Sequence, residues 1–151
     1  MRNELGEPRL AAWRTFITAH AAVIGRIERE MAVAGVIPLT WYDVLIELYE
    51  APERRLRLHE LADAVVLSRS GLTRLIDRLE AAGLLRRETA TTDRRGAYAV
   101  LTDAGITAMR AAWPVYARGI TEFFARYLSD ADAASLTDAL GRILAATREA
   151  P

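Results

Sequence analysis

Between residues 68 and 101 the chain reads SRSGLTRLIDRLEAAGLLRRETATTDRRGAYAVL, and the groups with chemistry to offer there are guanidinium and hydroxyl. Ser68, Arg69, Ser70, Thr73, Arg74 and Arg78 sit in a stretch of helical spacing, and Arg94 and Arg95 stand together in a polar one. A guanidinium stays protonated and presents five donors in a fixed fork, which suits bidentate contact with phosphate or with the edge of guanine. This is recognition chemistry rather than catalysis. The rest of the chain agrees: it has only two histidines, His20 and His59, no cysteine, no glycine-rich phosphate loop and no His/carboxylate spacing that would hold a metal. The expectation is a protein without enzymatic activity, cofactor or metal.

Recognition groups need elements that present them. Leu72, Leu75, Ile76 and Leu79 fall on one side of a helix at 3.6-residue spacing, while Ser70, Thr73, Arg74 and Asp77 emerge opposite, bordered by Arg69 and Arg78. Ser68 can cap the start of that helix, and Gly83 can stop it where a positive φ costs nothing. Strands are expected over 84–89 and 97–101, joined by a polar loop containing Asp93, Arg94 and Arg95. Just upstream, Leu58, Leu61, Ala62 and Val65 form the apolar face of another short helix, with Val66 and Leu67 as a tight turn before Ser68. Two short helices so closely joined, the second basic outward, have the form of a helix-turn-helix. An ordinary solvated helix face and an ordinary hairpin tip are the rival readings of the same arginines.

The flanks are helical too. Leu10, Trp13, Ile17, His20, Ile24, Ile27 and Met31 step alternately by three and four, as do Ile106, Met109, Trp113, Tyr116, Ile120, Phe123 and Tyr127. Such seams belong to long helices pressed lengthwise against others. Thr40 with Asp43 is expected to form a capping box for a helix ending near Glu50, with a possible short strand over 54–57 after it. Thr102 is expected to cap the second long helix, in which Pro114 should produce a kink, and Ser129 with Asp132 should open a last helix to about Arg148 carrying Leu136, Leu140, Ile143, Leu144 and Thr147 inward. Both seams exceed what a domain this small can bury alone. An intertwined homodimer with two projecting reading heads, facing a pseudo-palindromic duplex, answers that surplus.

Composition sets wider bounds. At 151 residues and 52% hydrophobic, the chain can bury a real core as one globular unit or two small subdomains. Without cysteine there are no disulfides or thiolate sites, no apolar run approaches the roughly 20 residues that span a bilayer, and the first ten residues lack a signal core. A cytoplasmic protein with no membrane association is expected. The net charge of zero hides an asymmetry, because residues 53–99 hold ten arginines against seven acids while the remainder holds ten against thirteen. All twenty cationic residues are arginine, which reflects an arginine-rich coding bias more simply than a function.

Residues 58–105 resemble the winged helix-turn-helix core of the MarR (multiple antibiotic resistance regulator) transcription factors. The most specific match is Asp93-Arg94-Arg95-Gly96, followed by Val100-Leu101-Thr102 and Asp103-x-Gly105, the family's wing signature. The resemblance implies a mainly α fold with a small β-hairpin: a winged helix-turn-helix lobe at 38–102, flanked by dimerisation helices at 1–36 and 103–150, in one chain of 151 residues. It implies a dimer on double-stranded DNA, with Ser68, Arg69, Ser70, Thr73 and Arg74 in the major groove and Arg78 on phosphate. Arg94 or Arg95 would enter the minor groove while Asp93 braces the loop by pairing with the other. Val66 and Gly71 depart from the family's usual glycine and hydroxyl residue at those places. Relatives bind small aromatic or phenolic effectors, for which Trp13, His20, Trp41, Tyr49 and Trp113 are the candidate lining, with Tyr42 and Tyr116 nearby. Core or interface packing is the competing reading of each aromatic. The expected function is a sequence-specific dimeric repressor released by such an effector. The alternatives are a protein-interaction or ligand-sequestering module that keeps the fold, and a DNA binder that needs no ligand.

Overall fold

The computed structural model describes residues 6–65, 69–89 and 96–149, with the side chains of Arg69, Ser70 and Glu149 excepted. In order it comprises α1 (Glu7–Val33), α2 (Leu39–Glu50), β1 (Arg55–Arg57), α3 (Leu58–Ala64), α4 (Arg69–Ala81), β2 (Leu85–Thr89), β3 (Ala97–Leu101), α5 (Asp103–Phe123) and α6 (Asp130–Glu149). The strands form one antiparallel sheet in the order β1-β3-β2. The fold is thus mainly α with a small sheet, as the sequence reading expects. No helix among the described residues is long and apolar enough to cross a membrane.

Register places Leu85, Arg87, Ala99, Leu101 and Leu56 on one face of the sheet, and Arg55, Arg57, Arg86, Glu88, Tyr98 and Val100 on the other. The first face closes the core. Leu72, Leu75, Ile76 and Leu79 of α4 are buried in it, together with Val44, Leu45 and Leu48 of α2, Leu61 of α3, Ile106 and Met109 of α5, and Ile27 and Met31 of α1. No polar or charged residue is buried among the described residues.

The corner joining α4, the sheet and α5 follows from a few local rules. Gly83 adopts φ 74°, and the α4 end closes as a Schellman motif: the Gly83 N–H reaches the Glu80 carbonyl at 2.9 Å and the Leu84 N–H reaches the Leu79 carbonyl at 3.0 Å. Thr102 caps α5 as expected. Its hydroxyl accepts from the Gly105 N–H at 3.0 Å and donates to the Gly83 carbonyl at 2.7 Å, while its own N–H reaches the Leu84 carbonyl at 3.2 Å. Gly105 lies so close that a Cβ there would stand 2.1 Å from the Leu84 oxygen. Ser129 and Asp132 form the expected capping box of α6, with the Ser129 N–H donating to Asp132 Oδ2 at 3.0 Å and the Asp132 N–H to Ser129 Oγ at 3.2 Å.

Two expectations are corrected. Thr40 and Asp43 do not cap α2: the helix begins one residue earlier, at Leu39, and Pro38 occupies the cap position with extended backbone, its carbonyl taking the Trp41 and Tyr42 N–H groups. Asp43 therefore has no capping role. Protein crowding, then the charges of Glu47 and Glu28, hold its carboxyl above the usual carboxylate range although it remains accessible. Second, the buried stripe of α5 runs through Ala112 and Gly119, which leaves Trp113 half exposed, and α5 stops at Phe123, so Tyr127 falls in a separate 3-10 turn (Ala125–Tyr127) at 73% exposure. Pro114 lies within α5, which runs as one helix from Asp103 to Phe123.

Replacing Gly105 by alanine forces a Cβ into backbone that cannot yield, and we expect a loss of about 2–3 kcal/mol, read from the urea midpoint. Gly141→Ala on the open side of α6 is the control and should be neutral or slightly stabilising. A second outcome concerns Asp43. A carboxyl whose pKa is raised on folding destabilises when ionised, fully above the folded pKa and not at all below the ordinary value near 3.8. Asp43→Asn should therefore raise the melting temperature at neutral pH, and the difference should vanish as pH falls through that window.

Candidate nucleic-acid interface

With its apolar stripe in the core, α4 has one direction left for its polar side chains. Thr73, Arg74, Asp77 and Arg78 are exposed, while Gly71 is half-buried. Among the described residues Arg74 and Arg78 have no carboxylate within ion-pair distance, so two guanidiniums face solvent uncommitted. Arg69 and Ser70 belong to the first turn of α4 by backbone. Ser68, Asp93, Arg94 and Arg95 lie outside the described residues, as do Val66 and Leu67. The structure thus brings Thr73, Arg74 and Arg78 together on one accessible face.

The aspartate between those arginines is committed elsewhere. Arg87 of β2 extends from the core-facing side of the sheet to Asp77 Oδ1 at 2.5 Å and to Glu80 Oε1 at 2.8 Å, and Glu80 Oε2 also accepts the Arg87 backbone N–H at 2.8 Å. The hydrogen bond to Asp77 comes first in raising the Arg87 pKa, with Glu80 adding to it against the opposing effect of burial. Sequence reasoning missed Arg87 because its partners lie seven and ten residues upstream, across the helix stop. The only available signal was its place on the apolar side of a strand, where an arginine requires partners.

On the opposite side of the sheet, Arg55 and Arg57 both lie over the Tyr98 ring, at 4.8 Å and 5.2 Å from its centroid. Arg55 also pairs with Glu53 at 2.9 Å, and Arg86 pairs with Glu88. Much of the basic excess at 53–99 is therefore spent within the sheet. Among the described residues the arginines left without a carboxylate or ring partner there, Arg74 and Arg78, sit on α4.

The five candidate lining residues of the ligand pocket do not share one site. Tyr49 and Trp113 line a groove of about 210 Å³ together with Tyr42, Met109 and Arg110, the last two of which sequence reasoning did not single out. Its walls are organised by ring packing, since Tyr42 stacks on Trp113 at 6.3 Å and both meet Tyr116 edge-on. Burial first, then nearby negative groups including Asp43, raise the Tyr42 and Tyr116 pKa values, so both hydroxyls remain donors. Trp41 packs half-buried against the core. Trp13 and His20 lie instead on the exposed N-terminal half of α1, each within 6.3 Å of the Phe16 ring. Among the described residues no group of three or more His, Cys, Asp or Glu side chains could hold a metal.

Comparison with known proteins now supplies a context. A model of the MarR family matches residues 37–96. The chain is similar to AbsC, a MarR family transcriptional regulator from Streptomyces coelicolor, at 32% identity and TM-score 0.87, covering 98% of this chain and 99% of that one. It is similar also to Sco3205, a MarR family regulator from the same organism solved in complex with DNA, at 30% identity and TM-score 0.87, over 99% of this chain and 93% of that one. The HTH-type transcriptional regulator MhqR of Bacillus subtilis is 28% identical over 125 residues, 83% of each protein. With relatives of 30% identity or more matched over nearly the whole length, and the same winged-helix order of elements, the chain belongs to the MarR family of DNA-binding transcriptional regulators.

Proposed function

We propose that this protein is a homodimeric, sequence-specific repressor that reads double-stranded DNA with α4 and leaves it when a small aromatic or phenolic effector occupies the Tyr42–Trp113 groove. The observation that carries the reading is the uncommitted Arg74 and Arg78 pair on a helix whose other face is locked in the core. Arg74, with Arg69, Ser70 and Thr73 toward the helix start, is assigned to base edges, and Arg78 to phosphate. Arg94 or Arg95 is assigned to the minor groove. The lobe at 38–102 does the reading, and 1–36 with 103–150 form the dimer.

The dimer is supported by apolar surface that one chain leaves open. Trp13 (58% exposed) and Ile17 of the α1 seam, Phe16 beside them, and Ile143 (58%) and Leu144 (56%) on α6 are large apolar side chains left open. Five large side chains of this kind are costly to leave in water, at roughly 1.5–3 kcal/mol each when fully exposed. A second copy covers them by symmetry and doubles the reading heads. The effector assignment rests on a groove whose aromatic walls suit a flat ring and whose rim carries the Arg110 guanidinium. Effector binding acts only through its different affinity for the DNA-competent and incompetent dimers.

Two measurements test these assignments. Arg74→Ala should cost about 1–3 kcal/mol, concentrated at particular base pairs, whereas Arg78→Ala should weaken all sequences alike and reduce the salt slope by about one. Unchanged sequence preference in a footprint of Arg74→Ala removes the base-reading role. Separately, Trp113→Ala should retain DNA affinity while losing the response to phenols and aromatic acids in a gel shift. A wild-type complex that no such compound disturbs favours a ligand-independent DNA binder instead.

A further inference from the structure

The polar face of α4 contains its own trap. Asp77 stands three residues after Arg74, a spacing that puts the two side chains over one another on the helix surface and within pairing reach. Left to itself, Asp77 would hold the Arg74 guanidinium, and DNA would have to break that pair before Arg74 met a base. The structure shows the opposite arrangement. Asp77 is held by Arg87 at 2.5 Å, Glu80 one turn later is held by the same guanidinium at 2.8 Å and by the same residue's N–H at 2.8 Å, and Arg74 has no carboxylate partner among the described residues.

We propose that Arg87 is a positioning residue for DNA reading: it draws Asp77 and Glu80 toward the sheet and so keeps Arg74 free for the duplex. The inference rests on the proposed reading role of Arg74. The geometry suits an arginine specifically, because a planar fork can bridge two carboxylates one helical turn apart while a lysine ammonium is a single point charge. Arg87 is also well placed to hold its aim. It projects from the core-facing register of β2 opposite Ala99, which is wholly buried, and its guanidinium reaches across to Asp77 and Glu80 of α4.

The test is a double-mutant cycle on DNA affinity, using a duplex enriched by the wild-type protein from a random-sequence library. Arg87→Met keeps the stem and removes the fork, and it should weaken binding roughly tenfold, the loss of about one base contact. Asp77→Asn alone should change affinity by less than about twofold, because Asp77 is already paired with Arg87 rather than Arg74. In the Arg87→Met background the same Asp77→Asn change should restore most of the loss, since no carboxylate then captures Arg74. A factor for Asp77→Asn that is equal in the two backgrounds overturns the proposal, as does an Arg87→Met protein with undiminished affinity. Circular dichroism at the binding temperature checks that each variant is folded. Should Arg87→Met not fold, Arg87→Lys replaces it, with a smaller loss and the same rescue expected. If the wild-type protein enriches no duplex, the reading role of Arg74 fails first and this inference with it, an outcome distinct from additive factors on a duplex that is enriched.

Discussion

The contact of Gly105 with the Leu84 carbonyl is the constraint on which the arrangement of the molecule depends. At this corner the end of α4, the start of β2, the end of β3 and the start of α5 occupy a space that admits no side chain at position 105. The hydrogen bonds that fix it are shared: the Thr102 hydroxyl, capping α5, accepts from the Gly105 N–H and donates to the Gly83 carbonyl at the stop of α4, and the Leu84 residue that closes the α4 Schellman motif through its N–H accepts the Thr102 N–H through its carbonyl. The helices α4 and α5 are therefore set against each other by backbone contact and by one short side chain, that of Thr102. The Leu101-Thr102-Asp103-x-Gly105 stretch that first suggested the family has a physical content, namely strand end, cap, first-turn acid and close approach.

What lies on either side of this corner differs in how firmly it is held. The α4 stripe and the sheet face it covers are buried almost completely, with Leu79, Ile76 and Leu85 among the least exposed residues of the chain. The N-terminal half of α1 and the outer face of α6 are apolar and open. A chain with one well-filled core and two uncovered apolar surfaces has finished packing one lobe but not the surface around it. Covering the seams with a copy of the same chain is an economical solution, because each seam then serves twice.

Much of this was legible from periodicity, and the failures were local. Leu72, Leu75, Ile76 and Leu79 recur at a spacing that only a helix satisfies, and their burial follows from apolarity alone. Gly83, Thr102 and the Ser129/Asp132 pair carry stop and cap chemistry that tertiary packing did not override. The Thr40/Asp43 pair carries the same chemistry and lost to Pro38, whose fixed φ and extended ψ supply a ready helix entry one residue sooner. The α5 seam went wrong at Trp113 for a similar reason: the strict heptad count drifts on a straight 3.6-residue helix, so the buried stripe moves to Ala112 and Gly119. The partners of Arg87 were not legible. An exposed acid at 77 and an arginine in a strand ten residues later give no signal until Gly83 folds one back over the other.

Trp113 acquires a further significance from that drift. Proline at 114 cannot donate to the carbonyl of Arg110, so the turn of α5 between these residues lacks one of its backbone bonds although the helix remains continuous. Arg110, Trp113 and Met109 are also the residues α5 contributes to the aromatic groove. The groove thus borders a turn of α5 that lacks one backbone bond, in a helix that is pinned at one end by Gly105 against Leu84 and, fourteen residues further on at Gly119, lies against Ile27 of α1. The space beside Tyr42 and Trp113 therefore adjoins the turn of α5 whose backbone bonding Pro114 thins, and the Gly105 corner joins the same helix to the end of α4.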